Sequence, residues 1–577
     1  MRHLVLWLAV LCSARAFAMD LVTQDVEVDL ASTPDRLSVS LRLEVRLTAT
    51  EAHLELLAPT GTIDAAFIDG LPAAVSADSF ILVVTPTAPL SAGLHTLQLH
   101  VDGVPACASS RGRQCSRSAS FTFLPALSEQ VRWYAAGTGF VTGEGMDPFV
   151  GTVKVRAPAS HLVAMVQGAT PVRTPNADGT QTWAFPYATP TESLGLVSGA
   201  LTAFTSSDGF VTGYTMGAAT QPMMEQFVTD AARFYPVFAE LYGPLPLSHF
   251  TITFVPPDFV AGAMGQFGLI FASETLAMPQ FSYISAQFAH EVAHSWWGNF
   301  ASPQAPFLSE GMAEYSLWRA REVLDGADVA MAGRRMNATW YQYGRGTIGD
   351  VAILNGSVSS SPAYVFVTYH KGAVVLRGLE ELVGTDALTR GLRSAVQSNP
   401  DLSVDAWLAA IQAQTPVDLA PWRRAWLDQP GFPMLTVESA VAAAADGQRV
   451  SLSITSSGDF PMKVPLRFRF SDGSTQRRAV SLAGRVSEFA ETFGSAPVSI
   501  ELDPEWTSVR EVVPALVGDV TLDGLVDGAD LLEVALHLGT AMPTARRQDG
   551  KYDPLYDVDG DRVVGERDLD TIVLTVR

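Results

Sequence analysis

Apolar and polar residues alternate over short runs from Asp20 to about Phe204, as in Leu37-Ser-Val-Ser-Leu-Arg-Leu-Glu-Val-Arg-Leu47, and Gly, Pro and Asp break the runs. A period of two puts every second side chain on one face, so this stretch predicts antiparallel strands over a shared core. From about Pro222 the period lengthens. Met224 to Leu241 reads as a helix, Phe250-Thr-Ile-Thr-Phe-Val255 as a strand stopped by Pro256-Pro257, and helices dominate onward to about Trp426. After Gly431-Phe-Pro433 the alternation returns in Val450-Ser-Leu-Ser-Ile454 and Leu466-Arg-Phe-Arg-Phe470, which predicts a second, smaller β domain. The stretch from Val517 to Arg577 is rich in Asp and Gly and has its own pattern. The expected class is multidomain α+β: an antiparallel β domain over 19–205, a mostly helical domain over 206–432, a β-sandwich over 433–510 and a tail domain over 515–577.

The first eighteen residues stand apart from this scheme. Met1-Arg2-His3 is a basic start, Leu4 to Leu11 an apolar run too short to span a bilayer, and Ala16-Phe17-Ala18 an A-x-A pattern. The order of the three zones predicts a cleaved signal peptide over 1–18 and a secreted, cell-surface or periplasmic chain with no transmembrane segment in its mature form. In such a compartment Cys107 and Cys115, close together in one loop, predict a local disulfide. No His or acidic residue lies between them, and Arg111 and Arg113 would repel a cation, so zinc is not expected there.

Composition narrows the partners. The 577 residues carry 38 Lys+Arg against 60 Asp+Glu, a formal net charge of -22, with no run of basic residues. Binding to a phosphate backbone needs clustered positive charge, so nucleic acid is not an expected partner. Hydrophobic residues make up 47% of the chain, enough for packed cores and too many for a disordered one.

Chemistry concentrates at His290-Glu291-Val292-Ala293-His294, inside a segment of good helix formers with no breaker. Histidines four apart share one helix face, where two neutral imidazoles can bind one Zn²⁺. Glu291 is then placed to take a proton from water during attack on a carbonyl. Catalytic zinc needs a third protein ligand, and two downstream acids offer one: Glu310 in Leu308-Ser-Glu-Gly-Met-Ala-Glu-Tyr315, and Glu314 one turn further on the same face.

His-Glu-x-x-His-Ser-Trp-Trp-Gly-Asn followed by Leu-Ser-Glu-Gly-x-Ala-x-Tyr resembles the gluzincin zinc aminopeptidases of the aminopeptidase N family. The resemblance implies a thermolysin-like catalytic domain, peptide substrates, and Glu310, the Glu before Gly, as third zinc ligand. The gap from His294 to Glu310 is shorter than the family's and the gap to Glu314 slightly longer, so spacing alone does not settle the choice. A shortened loop at Ala301-Ser-Pro-Gln-Ala-Pro306 would account for it and leave Glu314 as a supporting carboxylate. Thr368-Tyr369-His370-Lys371-Gly372-Ala373 is similar to the family's Tyr-x-Lys-Gly-Ala segment, which implies that Tyr369 stabilises the oxyanion.

Two departures from the family pattern stand out. Its Gly-Ala-Met-Glu-Asn, where Glu anchors the substrate's free α-amine, becomes Gly262-Ala263-Met264-Gly265-Gln266, so the substrate-binding positions Gly262, Ala263, Met264 and Gln266 remain while the anchor is gone. Glycine cannot pair with an ammonium group, and unless another acid such as Glu144 substitutes, dependence on a free N-terminus should relax toward broader exopeptidase or endopeptidase action. The large helical domain that caps the family's cleft also has no counterpart in the pattern.

The tail carries the spacing of a calcium loop. Asp519, Thr521, Asp523, Asp527 and Asp530 occupy positions 1, 3, 5, 9 and 12 with Gly524 at 6, the EF-hand arrangement. A second loop repeats the acids at Asp557, Asp559, Asp561 and Asp568 but has Arg562 at the turn and Gly565 at position 9, so weaker calcium binding is expected. Two such loops, each followed by an apolar helix and ending in Asp, resemble dockerin modules, which implies an EF-hand pair and a cohesin-like partner. The leading expectation is therefore an exported zinc metallopeptidase with one zinc and one or two calcium ions. The alternative is a catalytically decayed surface or scaffold protein that uses its β domains and tail for assembly.

Overall fold

The computed structural model describes residues 19–542 and 551–576, apart from 79, 105–106, 110–111, 126–130, 138–148, 166–170, 192–193, 218–219, 260–262, 278–283, 356–359 and 399–400. The signal-peptide segment 1–18, Gly262 and Glu144 thus lie outside the described residues. The chain divides into two compact units, Met1–Ala232 with Pro246–Ser282 and Arg233–Leu245 with Tyr283–Arg577.

In the first unit the alternating pattern becomes an eight-stranded sheet. Its strands run in the order 172–175, 180–191, 149–158, 19–29, 37–47, 93–103, 62–68, 71–72. Leu37, Val39, Leu41, Leu43, Val45 and Leu47 all point to the buried face of their strand, as a period of two requires. Every pairing in this sheet is antiparallel except one. Met19–Asp29 runs parallel to Phe149–Pro158, a pairing between strands far apart in sequence that no local pattern announces. Cys107 and Cys115 are joined by a disulfide.

This unit also holds smaller sheets and a five-stranded one in the order 202–205, 211–215, 250–255, 269–273, 263–266. Val211–Thr215, Phe250–Val255 and Leu269–Ser273 are parallel neighbours, and Phe250–Val255 is buried along its whole length. Helix α1 (Gln221–Tyr242) forms the crossover between the first two. It approaches closely because Gly213 has no side chain: a Cβ there would lie 2.3 Å from the Met224 sulfur.

The second unit is helical first. Helices α2 (Ile284–Ala293), α3 (Met312–Asp325), α4 (Ala327–Ile348), α5 (Gly372–Val383), α6 (Thr385–Ser398), α7 (Val404–Gln412) and α8 (Ala420–Trp426) follow one another. Two wider turns interrupt the α-helical winding, a π-helical segment at Phe307–Gly311 running into α3 and another at Val365–Lys371 running into α5. Two sheets then follow, one of 486–493, 447–456, 434–444 and 511–514, the other of 475–482, 462–470 and 497–502. Phe468 joins them through ring contacts with Phe489 and Phe493. The tail, with helices α9 (Gly528–Leu536) and α10 (Glu566–Thr575), has a small core of Val520, Val534, Tyr552, Val564 and Ile572. Among the described residues no helix is long and apolar enough to cross a membrane.

Candidate active site

The last turn of α2, the residue that follows it and the first π-helical segment bring three ligating atoms together. His290 Nε2 lies 3.1 Å from His294 Nε2, and Glu310 Oε2 lies 3.2 Å from each. The three form a nearly equilateral triangle with a carboxylate oxygen at one corner. Metal–ligand bonds of about 2.0–2.1 Å in a tetrahedron set ligand atoms roughly 3.3 Å apart, so the triangle matches one face of such a site. Two imidazoles and a carboxylate are also the donor types that zinc takes in catalytic sites.

Each imidazole is aimed by its other nitrogen. His290 Nδ1 donates to Glu314 Oε2 at 3.1 Å and His294 Nδ1 donates to the Trp297 carbonyl at 2.9 Å. Since carboxylate and carbonyl oxygens only accept, each Nδ1 carries a proton, which leaves each Nε2 as the atom that faces a cation once its own proton is given up. The structure thereby separates the two acids that spacing left open: Glu310 joins the Nε2 side, Glu314 the Nδ1 side of the same ring. Gly298, just past the Trp297 carbonyl, has φ +124, and a Cβ there would lie 2.9 Å from Ser309 Oγ.

Charges in the cluster hold one another. Burial pulls the His290 pKa down, but hydrogen bonds to Glu310 and Glu314 outweigh it and raise it to about 10. His294 is raised by Glu310 in the same way, and Glu310 is held well below the usual carboxylate range by the two imidazoles despite its burial. Glu291, one residue from His290, is partly exposed, and its charge acts on His290, His294 and Tyr369.

Tyr369 stands on the second π-helical segment. Its ring stacks on His290 with centroids 5.6 Å apart and planes 2° from parallel. Burial and the Glu310 charge push its pKa far up, so it stays a phenol. The two π-helical segments meet at glycines. A Cβ on Gly311 would lie 2.9 Å from the Thr368 carbonyl, and one on Gly372 would lie 3.3 Å from the Gly311 Cα. Lys371 of the same segment is fully buried, with Nζ 5.1 Å from the centroid of the Tyr341 ring.

Four residues around the centre carry no signal in the pattern: Trp318, Asn337, Tyr364 and His370. Trp318 Nε1 and Asn337 Nδ2 each donate to Glu314 Oε1 at 3.1 Å, His370 Nδ1 lies 3.0 Å from Asn337 Oδ1, and the Tyr364 ring meets Tyr369 edge to face. Asn337 sits inside an ordinary amphipathic helix and only the fold reveals it.

Ala263, Met264 and Gln266, expected from the sequence to bind substrate, belong to the first unit, on the edge strand Ala263–Gln266, where Gly265 pairs with Ile270 of Leu269–Ser273. Gln266 is buried, its Nε2 3.8 Å from the Met264 sulfur.

In the tail the two Asp-rich loops have matching backbones. Position 12 works the same way in both: Asp530 accepts from the N–H groups of Thr521 and Asp527, and Asp568 from those of Asp559 and Gly565. Positions 4 and 6 are left-handed in both, Leu522 (φ 56) and Gly524 (φ 88), Gly560 (φ 74) and Arg562 (φ 74). Arg562 therefore makes the turn despite its side chain, its N–H bonded to Asp557 Oδ2 at 2.8 Å, at a conformational cost of about 1–2 kcal/mol relative to glycine. Asp557, Asp559 and Asp561 each offer an oxygen within 4.8 Å of the others. In the first loop Asp527 caps α9 by accepting from Ala529 N.

Part of the chain is similar to known proteins. The peptidase family M1 domain matches residues 229–411. Aminopeptidase N of Lactobacillus helveticus is 26% identical over 257 residues, covering 40% of this chain and 30% of that protein. Aminopeptidase N of Rattus norvegicus is 31% identical over 224 residues (32% and 22%), and a membrane alanyl aminopeptidase of Heliothis virescens 29% over 215 (32% and 21%). The chain thus spans under a third of the length of these relatives. The matches support an aminopeptidase N-like metallopeptidase family.

Proposed function

We propose, from a peptidase family M1 domain laid over this donor triangle, that the protein is a zinc metallopeptidase hydrolysing peptide bonds. The observation that carries the proposal is the set His290 Nε2, His294 Nε2 and Glu310 Oε2 with Glu291 and Tyr369 beside it. Zinc held there would supply a Lewis acid that polarises the scissile carbonyl and lowers the pKa of water. Glu291 takes the proton of the attacking water and returns it to the leaving amine as the C–N bond breaks, so the base ends as it began. Tyr369, kept protonated by burial, donates its hydrogen bond to the oxygen on which charge builds. Glu314 holds the His290 ring in the tautomer that leaves Nε2 free.

With Gly265 where the family's amine anchor would stand, the proposed specificity is relaxed, with cleavage not strictly dependent on a free N-terminus. The tail is proposed to be a dockerin-like EF-hand pair binding one or two Ca²⁺, with a cohesin-like partner, and export through residues 1–18 belongs to the same reading. Fluorogenic peptides with free and with blocked N-termini test the enzyme. The zinc-loaded protein is expected to cleave both, and Glu291→Gln neither. Cleavage of free termini alone would overturn the relaxed specificity, and no cleavage by zinc-loaded wild type would overturn the enzyme itself.

A further inference from the structure

The metal-facing and phenol-bearing halves of the centre come from different stretches of chain, and α4 touches both. Glu314 receives three donors: His290 Nδ1 on Oε2, and Trp318 Nε1 and Asn337 Nδ2 on Oε1. A carboxylate only accepts, so Asn337 must turn its NH₂ toward Glu314 and its Oδ1 the other way. There, at 3.0 Å, stands Nδ1 of His370, the residue next to Tyr369. That nitrogen must carry a proton, since a carbonyl oxygen cannot donate. Asn337 is fully buried, so no water competes for either bond.

Two glycines on α4 shape the rest. A Cβ on Gly333, about one turn before Asn337, would lie 2.2 Å from the Trp318 ring, and one on Gly344, about two turns after it, 2.2 Å from the Phe366 ring. These notches let Trp318 of α3 and Phe366 of the Tyr369 segment lie directly on the helix. The His370 ring sits 6.1 Å from Trp340 and 6.2 Å from Phe366, centroid to centroid.

We propose that Asn337 is a positioning residue that joins the two halves: through Glu314 it fixes the orientation of the ligand His290, and through His370 it fixes the segment that presents Tyr369. The inference rests on the zinc-peptidase reading. Asn337→Asp tests it in the full chain, because it keeps an acceptor for His370 while setting a carboxylate against Glu314. Zinc affinity, measured by competition with a chromogenic chelator, is expected to fall by about 10–100-fold, with a shift of the visible bands of the cobalt-substituted protein. His370→Ala breaks only the other half, so zinc affinity should stay within about twofold while kcat falls by about tenfold at unchanged KM. Should Asn337→Asp fail to fold, Trp318→Phe removes one Glu314 donor and keeps a ring in the Gly333 notch, and a fall of a few-fold in zinc affinity is expected. Wild-type zinc affinity and cobalt bands in the folded Asn337 and Trp318 variants, with only a lowered melting temperature, would make Asn337 a packing residue and overturn the proposal. A wild type that binds no zinc would instead remove the zinc reading and this inference with it.

Discussion

The His290–His294–Glu310 centre and the Asp-rich loops of the tail gather ligating atoms by opposite means. In the centre, the atoms come from the end of α2, the residue just after it and a π-helical segment, and each imidazole is aimed by a further side chain or carbonyl, His290 by Glu314 and His294 by Trp297. In the tail, the acids lie within one short loop and are held by its own N–H groups, as Asp530 is by Thr521 and Asp527. A site of the first kind depends on packing between elements, and one of the second on local φ/ψ. Damage to the two should therefore look different.

The largest contrast is expected from removing one ligand. Glu310→Gln should lower zinc affinity by at least about 100-fold and abolish peptide hydrolysis, whereas Asp523→Asn should weaken calcium binding and leave hydrolysis within about twofold. Chelator competition for zinc, calorimetry for calcium and a peptide assay read all three. Within the centre, Tyr369→Phe keeps the ring stacked on His290 but removes the donor, so kcat should fall by about 10²–10³-fold with KM and zinc content unchanged.

The two sites should also respond differently to pH. His290 carries a pKa raised from its ordinary value to about 10 in the metal-free chain, so its ion pairs stabilise the fold fully below pH ~6.5 and this contribution is lost as pH rises through about 10. Zinc must displace that proton, and its affinity should rise across the same window. Asp519 is raised to about 6 by burial and by Asp530 and Asp523, so ionising it costs the calcium-free fold nothing below pH ~3.9 and the full amount above about 6. Calcium affinity should drop as pH falls through about 6 and be flat above it. Affinities measured from pH 5 to 9 decide both.

The smallest expected contrast concerns glycines. Gly311→Ala sets a methyl 2.9 Å from the Thr368 carbonyl between the two π-helical segments and should cost about 1–3 kcal/mol of stability and disturb zinc binding. Gly524→Ala, at φ 88 and 2.8 Å from the Ser439 carbonyl, should cost about 1–2 kcal/mol and disturb calcium binding alone. Thermal melts with each metal present show which site was touched.

The same contrast explains what was legible in the sequence. Period-two runs such as Leu37–Leu47 and the helical run at Met224 appear as strand and helix because their signals are local. His290, Glu291 and His294 are legible because four residues are one helical turn, and the tail loops because their ligands alternate over a dozen residues. Spacing alone left the expected third ligand as a pair of candidates, and the resemblance pointed to Glu310. Glu310 and Glu314 both reach His290, from opposite nitrogens, and only the path of the π-helical segment decides which faces His294 as well. The parallel pairing of Met19–Asp29 with Phe149–Pro158, the glycine notches of α4 and the Asn337 bridge arise between distant segments, where no periodicity exists to read.

The central claim is that one zinc is held by His290, His294 and Glu310. Anomalous diffraction at the zinc edge from crystals of the zinc-loaded protein tests it most directly. A single peak within bonding distance of His290 Nε2, His294 Nε2 and a Glu310 oxygen is the predicted result. A peak bound through Glu314, or no peak at these histidines in protein saturated with zinc, would contradict it.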